Sequence, residues 1–141
     1  MFSKTNLIST IMTAIWGFFG GWLLWGIIGD PILAEHTMTS GLMKEMPDMA
    51  LLAIGCLIVG FAFSTIYSKW DRGTYSFSHS AQFGIWIGIL IGLGSGLINH
   101  STSHILDLPG TIINAIIYVV HFAIMGILAS LVYKKFNSED Q

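Results

Sequence analysis

The chain has 141 residues, of which 53% are hydrophobic and only 10% charged, with a formal net charge of -2 and a mean hydropathy of +0.70. Soluble domains carry about 25% charged residues, so this composition excludes an ordinary soluble domain and indicates a membrane protein. The small acidic balance, without a basic patch, gives nucleic-acid binding no support, and the single cysteine, Cys56, excludes an intrachain disulfide or a four-cysteine zinc site.

Four segments lack Asp, Glu, Lys and Arg for long enough to cross a bilayer, which takes about 20 residues as helix. They are roughly Leu7–Ile28, Met49–Tyr67, Ser80–Ile98 and Gly110–Tyr133. None alternates apolar with polar residues, as barrel strands would. The expectation is an all-α, integral membrane four-helix bundle forming one domain over residues 1–141. The first segment, preceded by Lys4 and followed by "ILA" ending at Ala34, is too long for the apolar region of a signal peptide and reads as a retained helix.

Lys and Arg near the span ends set the expected orientation. Lys4, Lys69, Arg72, Lys134 and Lys135 flank one side. The loop after the first span has Lys44 against Asp30, Glu35, Glu45 and Asp48, and the loop after the third has no basic residue. Both termini and the middle loop should therefore face the cytoplasm, with the bacterial inner membrane as the expected location. Tyr67, Trp70, Tyr133 and Phe136 fit an interfacial aromatic belt on that side.

Ala14–Gly29 aligns with Ala81–Gly96 at an offset of 67, matching Gly17, Gly21 and Gly29 with Gly84, Gly88 and Gly96, while Trp25 falls opposite Gly92. Gly60, Ser64, Tyr67 and Lys69 match Gly126, Ser130, Tyr133 and Lys135 at an offset of 66. The pattern reads as one helical hairpin used twice, with a pseudo-twofold axis along the membrane normal; chance alignment of Gly/Ile/Leu-rich spans is the alternative.

In lipid there is no hydrophobic drive between helices, and small residues allow backbones to pack closely. Gly84, Gly88, Gly92 and Gly96 form a ladder along the third span, and Gly17 and Gly21 a shorter one along the first. The expectation is that these two spans cross near the bundle centre, or that the third span meets its copy in a second subunit. A pore lining is the competing reading.

Asn114, Tyr118, His121 and Met125 share one face of the fourth span. Apart from Cys56, His121 is the only ionisable side chain near the middle of a span, and such a group is a functional candidate by default. A ligand pocket between the third and fourth spans would be lined by these four residues. His121 could serve there as a proton relay, a haem or metal ligand, or a hydrogen-bonding partner to a headgroup. The plainer alternative is an interhelical hydrogen bond.

The first and third loops hold His36, Met38, Met43, Met46 and Met49, and His100, His104 and Asp107. His100 and His104 at i, i+4 would share a helix face, and His36 would lie opposite His104 under the repeat. Imidazole and thioether ligands suit copper or zinc. Copper, zinc or haem at His36, His100 and His104 is thus a further expectation, while the sequence by itself predicts no required cofactor. No HExxH, GxSxG or phosphate-binding loop is present, so a non-enzymatic role is expected.

The glycine-rich first span, "EMPDMALLAIGCLIVGFAFSTIYSKW" and "FGIWIGILIG" together resemble a group of small four-span bacterial membrane proteins without an assigned activity. The resemblance implies the topology and carries no site residue. Three functional classes follow from the sequence. The first is a packing or accessory subunit, self-associating or joined to other membrane subunits within the lipid bilayer. The second is a small-molecule transporter, channel or binding protein. The third is an outward-facing metal or haem protein.

Overall fold

The computed structural model describes residues 3–42 and 44–137. Four helices, each long and apolar enough to cross a membrane, form a bundle: α1 (Lys4–Ala34), α2 (Met49–Trp70), α3 (Phe77–Thr102) and α4 (Leu108–Asn137). Their starts follow local chemistry. Ser3, Asp48 and Asp107 each accept a backbone N–H from three residues on, at Asn6, Leu51 and Gly110, as N-cap side chains do. Pro109 at the second position of α4 costs no hydrogen bond there.

The order of packing differs from expectation. Helix α3 lies along α4, α1 lies along both α2 and α4, and α1 and α3 make no close backbone approach among the described residues. The expected crossing of the first and third spans is therefore corrected: α4 stands between them. The reason is visible at the glycines. A β-carbon on Gly84 would overlap the Phe122 carbonyl, one on Gly88 would lie 2.5 Å from the Val119 Cα, and one on Gly92 would lie 2.6 Å from the Tyr118 Cβ. From the other side, a β-carbon on Gly126 would overlap the Ser80 carbonyl. Gly96, a turn further on, is looser, its β-carbon position 3.3 Å from Thr111. The ladder of α3 is thus covered by α4 within one chain and is not free to meet a second copy.

The two hairpins resemble each other in structure as well as in sequence. Both α1 and α3 widen into a π-helical stretch, Trp22–Gly29 and Ile89–Gly94, starting at positions that match at the offset of 67. A β-carbon on Gly60 would meet Thr10, Thr13 and Ala14 of α1, as one on Gly126 would meet Ser80 and Gly84 of α3. Ser80 is the counterpart of Thr13.

The core cluster comprises Phe63, Tyr67, Phe83, Phe122, Met125, Ala129 and Tyr133. It sits toward the end of the bundle that carries Lys4, Lys69, Arg72, Lys134 and Lys135, here called the basic end. The opposite end is closed by the loops. Thr37 and Leu106 form an isolated antiparallel bridge, with Met38 N–H donating to Ile105 (2.9 Å) and Asp107 N–H to His36 (3.0 Å). Thr39 Oγ1 donates to the His104 carbonyl. The first and third loops are thereby tied together over the bundle.

A leucine at Gly88 would have to push α3 off the α4 backbone. Gly88→Leu should lower stability by roughly 3 kcal/mol, the upper end of overpacking costs. Gly21→Leu, whose β-carbon would meet nothing within 4 Å, should stay near wild type. Thermal unfolding of the two variants in the same detergent checks the ranking, and equal melting temperatures would refute it.

Candidate functional site

The second hairpin stays closed as far as Gly92, and the first opens sooner. Helices α1 and α2 touch at Gly60, where a β-carbon would lie 2.8 Å from the Thr10 carbonyl. At Gly17 the corresponding distance to Cys56 is already 3.6 Å, and at Gly21 and Gly55 nothing lies within 4 Å. The π-helical stretch Trp22–Gly29 approaches α4 but not α2. The two helices therefore splay away from the basic end. Between them is an open groove of about 450 Å³, walled by Gly17, Gly21 and Trp25 of α1 and by Leu52, Gly55 and Cys56 of α2. Its floor is Tyr118, His121 and Phe122 of α4.

His121 is 5% exposed, and its Nδ1 is buried with no hydrogen-bond partner. The ring stacks on Trp16 at 5.7 Å and meets Trp25 edge-on at 5.3 Å. The interhelical bond at this position uses its backbone instead: Trp16 Nε1–H donates to the His121 carbonyl at 3.0 Å. Two helical turns closer to the loop end, Trp25 Nε1–H donates to Asn114 Oδ1 at 2.7 Å, and its ring packs edge-on against Tyr118 at 4.6 Å. In the sequence Trp25 was visible only as an interruption of a glycine pattern, and Trp16 only as the counterpart of Phe83 in the repeat. Their signal was the indole N–H, which seeks an acceptor when buried.

The four-residue face of α4 is thus divided. Asn114 lines a small cavity of about 110 Å³ between the loop ends of α3 and α4, with Gly96, Asn99, His100 and Thr111. Tyr118 and His121 line the α1–α2 groove, and Met125 is fully buried. The four residues do not share one pocket: the glycine contacts hold the third and fourth spans together at the level of Tyr118 and Phe122, and of the four only Asn114 faces the cavity between those spans.

The loop histidines do not converge. Among the described residues no group of three or more His, Cys, Asp or Glu side chains is placed to hold a metal. Helix α3 ends at Thr102, and Ser103 is extended, so His104 leaves the helix face that holds His100. His100 Nδ1 lies 3.1 Å from the Leu106 carbonyl. His36 Nδ1 lies 3.0 Å from Asp107 Oδ2, so His36 meets Asp107 and not His104. That hydrogen bond, with a further one from the Gly110 N–H, holds the Asp107 carboxyl below the usual carboxylate range. Met43 lies outside the described residues.

A polar cluster at the basic end has no precursor in the sequence reading. Asp71, 1% exposed, follows the last residue of α2. It accepts from the Tyr67 hydroxyl at 2.5 Å and from the Tyr75 N–H at 2.7 Å. Ser80 Oγ lies 2.6 Å from the Tyr67 hydroxyl. Beside it, Asn6 Oδ1 accepts from Ser64 Oγ at 2.5 Å and from the Tyr133 hydroxyl at 3.0 Å. These bonds tie all four helices at one end. Asp71 also fixes a tight turn in which Arg72, Gly73 and Tyr75 have positive φ, a backbone region that is uncommon for bulky residues.

Burial by itself pushes the Asp71 carboxyl up. The Tyr67 hydroxyl, the Tyr75 N–H and the charge of His79 outweigh it and leave the group below its ordinary value. The sign follows: the unfolded chain takes up the proton at higher pH than the folded one. The stabilisation is present above the unfolded value of about 3.9 and is lost as pH falls below it. Asp71→Asn should flatten that acid limb and cost about 1–3 kcal/mol at neutral pH through weakened buried partners. Melting temperatures of both forms from pH 3 to 7 check this; identical acid limbs would sink it.

Comparison with known proteins leaves this geometry to stand alone: no family model matches the chain, and no curated protein or solved structure matches it.

Proposed function

We propose that the chain is a membrane-embedded, non-enzymatic binding protein for a small neutral molecule that is largely apolar. The molecule lies in the α1–α2 groove with one polar atom on His121. The observation that carries this reading is the His121 imidazole, buried on the groove floor with Nδ1 unpartnered. Leaving such an atom unpaired costs about 1–3 kcal/mol, which a bound hydrogen-bonding group recovers once a small rotation of the ring turns Nδ1 into the groove. Neutral imidazole presents one donor and one acceptor, so a carbonyl or hydroxyl satisfies it. No charged side chain lines the groove, and a charge would be costly at that depth, which argues for an uncharged ligand. The basic end faces the cytoplasm and the paired loops face outward in this reading, as the distribution of Lys and Arg indicates, with a bacterial inner membrane as the setting.

The second reading is an accessory subunit of a membrane complex. Gly21 and Gly55 favour it, since both face open space in the same groove and a helix carrying small residues would fit against them.

Native mass spectrometry of protein extracted gently from its own membrane separates the two. Binding predicts a reproducible added mass of small-molecule size, lost at least tenfold in His121→Phe while the helical circular dichroism is retained. A second polypeptide in the wild-type ion, unaffected by His121→Phe, would instead support the accessory role.

A further inference from the structure

A second space lies on the loop side of the groove. It has a volume of about 530 Å³ and is bordered by the end of α1 and the paired loops, with Asp30, Leu33, Thr37, Thr39, Leu42 and Leu106 among its walls. Its character is mixed, with hydroxyls and one carboxylate beside leucines, whereas the groove is apolar except for Tyr118 and His121. Of the residues lining the two spaces, Trp25 is the one they share.

Trp25 is held by contacts that can be undone without unfolding a helix. Its N–H has a single bond, to Asn114 Oδ1, and its ring rests edge-on against Tyr118 and His121. Its backbone belongs to the π-helical stretch, a local widening that recurs at functional positions. Gly21 before it has open space around it, and the stretch itself makes no close approach to α2. A rotation of the indole away from Asn114 would join the two spaces.

We propose that Trp25, latched by Asn114, is the partition on a path by which a neutral amphiphile passes between the bilayer-side groove and the loop-end vestibule. This rests on the groove being the ligand site. The division of the walls fits such a molecule: in the groove its apolar body meets apolar walls and its polar atom sits on His121, and after passage that polar atom meets the hydroxyls of the vestibule. The activity added is transfer between the membrane and the loop side, beyond binding alone.

Cys56 provides a native reporter, because it is the chain's only cysteine and lines the groove. The protein in lipid nanodiscs is treated with two thiol reagents, and the rate of Cys56 modification is followed by intact mass. N-ethylmaleimide is neutral and enters lipid. Trimethylammonioethyl methanethiosulfonate is charged and stays in water. In wild type the charged reagent should react slowly and N-ethylmaleimide readily. Trp25→Ala should raise the charged-reagent rate about tenfold, the equivalent of about 1.4 kcal/mol and within the worth of one buried hydrogen bond. Asn114→Leu keeps the ring, removes its latch, and should shift the rate in the same direction. In both variants the N-ethylmaleimide rate should stay within about twofold of wild type.

An unchanged charged-reagent rate in both variants overturns the partition. So does a wild-type rate already as high as that of Trp25→Ala, or a parallel rise with both reagents, which would mean general loosening. The binding reading is checked separately with 1-dodecanol, a neutral amphiphile that should slow N-ethylmaleimide labelling of wild-type Cys56. Absence of protection rejects the binding site while leaving the charged-reagent comparison to decide whether Trp25 separates the two spaces.

Discussion

The bundle depends on the backbone contact between α3 and α4. Lipid tails are as apolar as leucine, so helices in a bilayer gain nothing by hiding apolar surface from one another and must associate through close packing and hydrogen bonds. Gly84, Gly88 and Gly92 bring α3 against the main chain of α4 near Phe122, Val119 and Ala115. That contact makes α4 the central helix. It also fixes the rotation of α4, so that the face carrying Asn114 and His121 turns toward α1. There two tryptophan indoles find acceptors, one a side-chain amide and one a main-chain carbonyl.

The first hairpin is a loosened version of the second. Gly17 and Gly21 stand where α3 has Gly84 and Gly88, and Cys56 stands where α4 has Phe122. The helices nevertheless diverge, from near contact at Gly60 to open space at Gly21. The sequence difference that coincides with the divergence is Trp25, opposite Gly92 in the repeat. Gly92 admits the Tyr118 Cβ close against its backbone. An indole in the matching place fills the room a partner helix would need, and it lines the groove together with Leu52, the counterpart of Tyr118. The basic end does not open, because the Asn6, Ser64 and Tyr133 hydrogen bonds hold α1, α2 and α4 together there. The Tyr67, Asp71 and Ser80 bonds do the same for α2 and α3. A hairpin clamped at one end and wedged at the other gives a cleft at a defined depth.

The spans were legible because a bilayer demands long uncharged stretches, and composition records that directly. Their partners were not. A soluble helix advertises its buried face as an apolar stripe. Here the buried face of α1 is Asn6, Ser9, Thr10 and Thr13, whereas Ile11, Ile15 and Phe19 are exposed. Apolar periodicity therefore points at lipid instead of at the neighbouring helix. The glycine ladder identified α3 as a packing surface, but a row of missing side chains carries no mark of what lies against it. Asp71 was hidden for a different reason. Beside Arg72, at the edge of a charged turn, it has the sequence context of a solvated carboxylate, and its burial depends on Tyr67, Tyr75 and Ser80, which converge only once α2 and α3 are folded together. His121 was singled out by depth alone, and the groove that gives it meaning arises from α1 and α2, which the α4 sequence does not describe.

Packing accounts for every other member of that α4 face. Met125 fills the core, Tyr118 lies under Gly92 and Trp25, and Asn114 accepts the Trp25 indole. For His121, packing accounts for the ring's stack on Trp16 and its edge contact with Trp25, and not for Nδ1. The neighbouring donor, Trp16, is directed at the main-chain carbonyl, which uses a lone pair left over by helix geometry and leaves the imidazole untouched. An apolar aromatic such as Phe would make the same stacks without burying an unpaired nitrogen. The unpaired Nδ1 beneath an open groove is the feature on which the binding proposal rests.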